Sequence, residues 1–466
     1  MYSDEMKICN TVLDAIGSTP MIRLRTGVDT KSMAEVLLKA EFLEPSGSLK
    51  DRMALKIVEE FERTGQLKPG GTLVEATAGN TGLAVAMVAA VKGYHSVFVM
   101  PDKFSIEKIN MLKAYGSEVI TTPTAVPDDH PDSWKEVAKR IVATTPNSVL
   151  VNQFYNRTNV QAHYETTGPE IWEQTAGQVD VLIAGAGSGG LISGAGRYLK
   201  EQAKKAGREV RLVLMDPVGS IYSDTFYKRE VKEKKGWKME GIGNDFIPGS
   251  LDLAIVDEVR SVTDKQAFFF ARRLARQEGL LVGETSGAGV AIGLDIAREI
   301  GPGKKVVCIL CDSGNRYVSK LYNDDWMKRN GFGTLGLHLR TVTVDDVLDF
   351  KGRQVFLAPE DSTIQQGVEI LSREGISQMP IKVGAGQFRM VHESDLLEAL
   401  LVGDKSRESK LREVSKPITG VVTGDQDLAT IEPLLDANNV VVVVDADKEI
   451  CGIITRIDVV RYLSKR

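Results

Sequence analysis

Between residues 15 and 325, apolar runs of strand length alternate with longer runs of helical period, and that rhythm limits the fold more than any other feature. "GTLVEA" precedes "NTGLAVAMVAAVKG", and "HSVFVMP" precedes "SIEKINMLKAYG". "SEVITT" precedes "DSWKEVAKRIVA", and "VDVLIAGAG" precedes "GGLISGAGRYLKEQAKKAG"; "VRLVLMD" and "KKVVCILCD" follow as further strands. Strands this continuously apolar are covered on both faces, as happens when helices cross over between parallel neighbours. The fold class expected is α/β, with doubly wound, mostly parallel sheets. Such sheets take ligands in the crevice beyond the carboxyl ends of their strands. The unusual loops of this chain fall at such ends or at helix starts.

The rhythm stops near residues 328–350, where "KRNGFGTLGLHL" is rich in glycine. At 466 residues the chain is too long for one domain, because single cores stop growing well short of that length. A first domain is expected over 1–328, a linker over 329–350 and a tail over 351–466. The tail carries one pattern twice, over about 351–403 and 412–466. "TIQQGVEILSREGISQMPIKV" leads to "FRMVHESDLLEALL", and "LATIEPLLDANNVVVVVD" leads to "CGIITRIDVVRYL". A repeated helix–strand–strand–helix unit buries its apolar face against its twin.

The net charge of −5 offers no basic excess, so neither nucleic acid nor an anionic membrane surface is an expected partner. No apolar run reaches the roughly 18 residues of a membrane span. The start, "MYSDEMKICN", has no basic segment followed by an apolar one, so no secretory signal is expected. With only four cysteines, a reducing, cytoplasmic setting is expected. Cys308 and Cys311 form a CxxC within an apolar run, with no second pair or nearby histidine to complete a metal set. They read as small core residues on a strand. His95, His130, His163, His338 and His392 are scattered, and no metal is expected.

Three loops remain. "AGAGSGGLISGAG" follows a strand and opens a helix; its glycines let the backbone approach an anion closely. By itself it fits a dinucleotide, with Asp216 after the next strand as ribose partner, as well as it fits a simple phosphate. "EATAGNTGLAV" puts Thr77, Asn80 and Thr81 at a second helix start, where a plain N-cap would need only one such residue. In "EPSGSLKDRM", Lys50 follows Ser46-Gly47-Ser48 at a third. Alone it reads as a solvated lysine; a nucleophilic one must be desolvated to lose its proton.

Together, "EPSGSLKDR", "TAGNTG" and "GAGSGGLISG" resemble, in order and spacing, the lysine, substrate-carboxylate and phosphate loops of fold-type II pyridoxal-phosphate enzymes. That group includes the cysteine synthases, cystathionine β-synthases and threonine dehydratases. The resemblance covers nearly all of residues 10–325. "IGSTPMIRL" resembles the family's N-terminal signature, and "AHYETTGPEIWEQT", "EGIGNDFIP" and "CDSGNRYVSKLYNDDWM" narrow it to the cystathionine β-synthase branch. The tail resembles a tandem of CBS domains, a regulatory module.

The resemblance implies pyridoxal 5'-phosphate as cofactor. Lys50 would bind it covalently and move the substrate's Cα proton. Gly187, Ser188, Gly189, Gly190 and Leu191 would hold its phosphate, Asn80 its ring 3′ oxygen, and Ser313 would face its ring nitrogen. Thr77, Ala78, Gly79, Thr81 and Gln153 would receive the amino-acid carboxylate. A neutral Ser313 leaves the ring a weaker electron sink, which favours loss of a β-substituent. The implied reaction is β-replacement of small-molecule substrates, L-serine and L-homocysteine giving L-cystathionine and water, with hydrogen-sulfide-forming side reactions. Cysteine synthase chemistry, O-acetylserine with sulfide, shares every catalytic residue. A reading of another class, an adenosyl-sensing regulatory protein with a decayed catalytic domain, is opposed by intact Lys50, Asn80 and Ser313. A homodimer is implied, with a tetramer open.

Some positions depart from the family. Ala78 stands where a serine is usual, Leu191 where a threonine is usual, and Asn244 where a tyrosine is common in the animal enzymes. No haem is expected, since its ligands would lie in an N-terminal extension. In the tail, Thr455 and Asp458 of "GIITRID" match the pattern that holds a ribose and its phosphates. The first repeat keeps Asp395 but carries Arg389 and His392 in place of the glycine and threonine. One adenosyl site, for S-adenosylmethionine or an adenine nucleotide, is expected rather than two; the alternative is a purely structural pair.

Overall fold

The computed structural model describes residues 8–464 except 78, 103–105, 125, 128–129, 231–235, 333–341, 360, 385–386, 402–404, 419, 427, 429–430, 432–433, 436–439 and 446. The chain divides into two compact units, Met1–Thr334 and Leu335–Arg466.

Among the described residues the first unit has ten strands: β1 (Met21–Arg23), β2 (Glu35–Lys39), β3 (Thr72–Ala76), β4 (His95–Pro101), β5 (Glu118–Thr122), β6 (Ser148–Leu150), β7 (Val181–Gly185), β8 (Arg211–Pro217), β9 (Glu258–Val262) and β10 (Lys305–Ile309). They form a six-stranded sheet in the order β1-β2-β10-β7-β8-β9 and a four-stranded sheet in the order β5-β4-β3-β6. Every pairing is parallel except β1 with β2. This is the α/β architecture that the alternation predicts. Strand β4 is buried from Ser96 to Pro101, so both of its faces are covered.

The helices that cover the sheets are themselves enclosed. Helix Asn80–Lys92 is buried at every position from Thr81 to Ala89, and it ends at Gly93 in the left-handed conformation, φ +74°. Helix Glu284–Ile300 packs closely because its glycines permit it. A Cβ on Gly293 would come within 2.4 Å of the Cys308 sulfur, and one on Gly287 within 2.1 Å of the Ala267 carbonyl. Cys308 is thus a core thiol on β10, and burial pushes its pKa up to about 12. Among the described residues no helix is long and apolar enough to cross a membrane.

The second unit repeats one arrangement. Ala358–Pro359 pairs parallel with Gln378–Gly384, which forms an antiparallel hairpin with Gln387–His392. Val421–Thr423 pairs parallel with Val440–Val444, which forms an antiparallel hairpin with Ile450–Thr455. Each hairpin runs into a helix, Glu393–Leu401 or Arg456–Ser464.

Two boundaries differ from the sequence reading. The stretch expected as linker holds helix Val344–Lys351, capped by Thr343 and Asp346. Its Val344, Val347 and Leu348 are buried in one core with Val422, Val441, Val443, Ile454 and Tyr462, all from the second repeat. The reason is an amphipathic turn hidden among glycines: "VDDVLDFK" has apolar residues three and four apart. Likewise Lys416–Pro417, expected in the second repeat, closes the edge of the first sheet against Arg389 and Met390.

Leu348→Ala is therefore expected to destabilise the second unit by about 2–5 kcal/mol. Hydrogen exchange of the Val440–Val444 strand should speed up accordingly, whereas unchanged protection there would restore the linker reading.

Candidate active site

Lys50 opens helix Lys50–Arg63 and lines a cavity of about 670 Å³. The chain before it is fastened to the end of β10. The Leu49 N–H donates to the Cys311 carbonyl (3.0 Å), the Ser313 N–H donates to the Gly47 carbonyl (3.0 Å), and Ser48 bridges Asp312. Gly47 turns with φ +83°, and a Cβ there would sit 3.4 Å from Arg316 and 3.6 Å from Ser313. Burial lowers the Lys50 pKa, opposed by Cys311 and Asp312. A lysine in this setting gives up its proton more readily than one in water.

Beneath Lys50 lies a buried ion network. Arg52 reaches Glu41 (2.7 Å), Glu44 (2.9 Å) and Glu170 (2.6 Å), and Lys39 reaches Glu170 (2.6 Å) and the Thr19 carbonyl (2.7 Å). Burial raises the Glu44 pKa to about 8, while Glu170, despite burial, is held at about 2 by Arg52 and Lys39.

The glycine loop after β7 starts helix Gly190–Lys205. Gly187, Ser188, Gly189, Gly190 and Leu191 all line the cavity. Gly189 has φ +84°, and a Cβ there would meet Leu251 at 2.5 Å. A Cβ on Gly190 would stand 2.1 Å from the Asn159 Oδ1. Among the described residues the N–H groups of Gly187, Ser188 and Gly189 donate to no protein partner. Unsatisfied N–H groups at the start of a sixteen-residue helix make an anion site. Asn159 Nδ2 donates to both the Ser188 Oγ (2.9 Å) and the Gln153 carbonyl (2.9 Å), tying this loop to the next one.

Thr77, Gly79, Asn80, Thr81 and Gln153 share the same wall, at the start of helix Asn80–Lys92. Ala78 lies outside the described residues. Thr81 Oγ1 donates to Gln153 Oε1 (2.6 Å). Glu75 at the end of β3 accepts the Asn152 N–H (2.7 Å) and the Gln153 N–H (3.3 Å), and burial raises its pKa to about 7. Asn80 is held from two sides: its Nδ2 donates to Asp312 Oδ2 (2.7 Å) and its Oδ1 accepts from Arg316. Tyr317 also donates to Asp312 (2.7 Å).

Beyond β10, Ser313 and its neighbours take different places. Ser313 is not among the wall residues; its hydroxyl caps the short turn Gly314–Tyr317 by accepting the Asn315 N–H (3.3 Å). Its neighbours Cys311 and Asp312 line the wall. Cys311 is therefore not a plain core residue like Cys308, because it lies past the end of β10 and lines the cavity.

Sequence reasoning also missed Lys108, Trp237, Glu240, Thr285, Arg316 and Lys320, which line the wall as well. Lys108 and Lys320 both donate to Glu240, the former at 2.6 Å. Asn244, marked only as a departure, is in the wall too. For Glu240, Arg316 and Lys320 the signal lay in the stretches "EGIGNDFIP" and "CDSGNRYVSK", whereas Lys108, Trp237 and Thr285 lie outside both.

The residues expected at a regulatory ligand are all paired. Asp458 accepts from Thr455 N (2.9 Å), Thr455 Oγ1 (2.6 Å) and Lys351 (2.6 Å). Asp395 accepts from the His392 N–H (3.2 Å) and Lys416 (2.6 Å). Arg389 donates to Ser415.

The cavity fits pyridoxal phosphate. A desolvated lysine stands for the aldehyde carbon, and three unpartnered N–H groups in a glycine cradle stand for the phosphate. A second helix start is left for a carboxylate.

A family model described as "Pyridoxal-phosphate dependent enzyme" matches residues 12–312, and one described as "CBS domain" matches residues 411–465. The chain is 35% identical to the cystathionine beta-synthase of Oryctolagus cuniculus, across 99% of this chain and 86% of that protein. It is 40% identical to cysteine synthase 1 of Neurospora crassa, across 72% of this chain and 90% of that one. The crystal structure of an O-ureido-L-serine synthase superposes with a TM-score of 0.62 at 33% identity, covering 69% of this chain and all of that one.

Glu75 makes a testable link between the site and pH. Its folded pKa lies above the ordinary 4.5, so the native state keeps a proton that the unfolded chain releases. The stability this contributes is complete at acid pH and is lost as pH rises from about 4.5 to about 7. Glu75→Gln should flatten that slope, by no more than about 3 kcal/mol across the window. Urea titrations at a series of pH values read it directly; parallel slopes in both proteins would refute the assignment.

Proposed function

Because the chain belongs to the pyridoxal-phosphate-dependent enzyme family, in its cystathionine β-synthase branch with a C-terminal CBS domain, we propose that it joins L-serine to L-homocysteine by β-replacement. The observation that carries this reading is the convergence of Lys50, the 187–191 loop and the 77–81 loop on one cavity.

Bound pyridoxal phosphate supplies an electron sink that lets a β-substituent depart. Lys50 and the N–H groups of Gly187, Ser188 and Gly189 would hold it. Lys50, lowered in pKa by burial, would take the Cα proton at Nζ and later return it. Thr77, Gly79 and Thr81, with Gln153 braced by Thr81, would orient the serine carboxylate. Asn80, fixed by Asp312 and Arg316, would address the ring oxygen. The wall of Lys108, Glu240 and Lys320 supports a thiol that carries its own carboxylate and ammonium, since bare sulfide needs no such partners.

The likeness to a cysteine synthase favours the second reading, O-acetylserine with sulfide. A homodimer in the cytoplasm completes the proposal. An adenosyl ligand addressing Asp458 would displace Lys351 from it.

Two measurements test this. Lys50→Ala should remove both the visible absorbance of the lysine-bound cofactor and turnover; retained turnover would overturn the Lys50 role. Serine with homocysteine should give product faster than O-acetylserine with sulfide, run side by side with and without S-adenosylmethionine. The reverse order would establish the second reading.

A further inference from the structure

Asn244 sits in the cavity wall, and its side chain is turned toward the glycine loop. Its Nδ2 donates both to the Gly187 carbonyl (2.7 Å) and to the Tyr222 hydroxyl (2.5 Å). The Tyr222 hydroxyl in turn donates to the same Gly187 carbonyl (3.3 Å). We propose that Asn244 and Tyr222 are a positioning pair for the cofactor phosphate, gripping the Gly187 carbonyl and so aiming the Ser188 N–H into the cavity.

The warrant is the planarity of the peptide bond. In a trans peptide the carbonyl and the following N–H point in opposite directions from one rigid plane. Fixing the Gly187 oxygen from the side of residue 244 therefore fixes the Ser188 N–H toward the other side. The preceding plane is fixed in the same way: the Gly243 N–H donates to the Ala186 carbonyl (2.9 Å), which orients the Gly187 N–H. Both of those N–H groups lack a protein partner among the described residues, as a site awaiting an anion requires. Close packing leaves the loop no alternative course, because a Cβ on Gly187 would stand 2.4 Å from the Gly241 carbonyl.

The pair is itself well anchored. The Asn244 N–H donates to Ser220 Oγ (3.2 Å), and its carbonyl accepts the Ile221 N–H (3.1 Å). Tyr222 is fully buried, and Asp216 accepts the N–H of the next residue, Ser223 (2.8 Å). Burial also pushes the phenol well above its ordinary pKa, so it stays a neutral donor.

This inference rests on the cavity holding pyridoxal phosphate, but not on which amino acid or thiol reacts there. Its test is correspondingly substrate-free. Apo-protein is titrated with pyridoxal phosphate, and the bound phosphate is followed by its phosphorus resonance. Asn244→Leu, neutral and of similar volume, should weaken cofactor binding about 10-fold, the loss of one well-placed hydrogen bond. It should also move the phosphorus resonance. Tyr222→Phe should do the same to a smaller degree, about 3-fold. Should Asn244→Leu fail to fold, Tyr222→Phe alone decides the question. Unchanged affinity and an unmoved resonance in the folded variants would overturn the proposal.

Discussion

The Arg52 guanidinium is almost wholly removed from water, and the active-site end of the first unit is arranged around it. A buried cation is tolerable only when it is fully paired. Here Glu41, Glu44 and Glu170 all stand within 2.9 Å of it, and burial raises the Glu44 pKa. Lys39 adds the second cation through Glu170, so two positive groups face three carboxyl groups. Arg52 is two residues beyond Lys50 in the same helix, so the network fixes the start of that helix. It also joins residues from the strand before the lysine to Glu170, on a helix that follows β6. A lysine that must move a proton at a defined carbon needs a backbone that does not drift, and this network provides it.

The cavity is a composite of the two sheets, since the loops that build it come from β3 in one and from β7 and β10 in the other. Single side chains bridge these sources. Asn159 holds Ser188 and the Gln153 carbonyl together, and Asp312 holds Asn80 across 232 residues of sequence. Cofactor and substrate loops are thereby positioned by shared partners, not separately.

This division also explains what could be read in the sequence. Buried parallel strands announce themselves by continuous apolar runs, and glycine cradles by their spacing, so the fold and Lys50, Asn80 and the 187–191 loop were legible. Wall residues whose place depends on a loop's exit angle were not. Cys311 and Ser313 are two residues apart, yet one faces the cavity and the other caps a turn. Nothing in "CILCDSG" states which way each will turn. Glu240 and its two lysines come from three separate segments, and charge alone cannot say that they meet. Helix Val344–Lys351 was hidden because two short apolar turns among glycines carry little periodic signal.

That helix changes how the tail must be pictured. Its buried side chains complete the core of the second repeat, although the whole first repeat lies between them in the chain. The halves are not beads on a string; one is threaded into the span of the other, like a clause in parentheses. The later half cannot close its interior until an earlier stretch of chain has returned to it. A cut at the glycine-rich stretch leaves the tail whole only if it falls before Val342, and a cut nearer residue 350 opens a core.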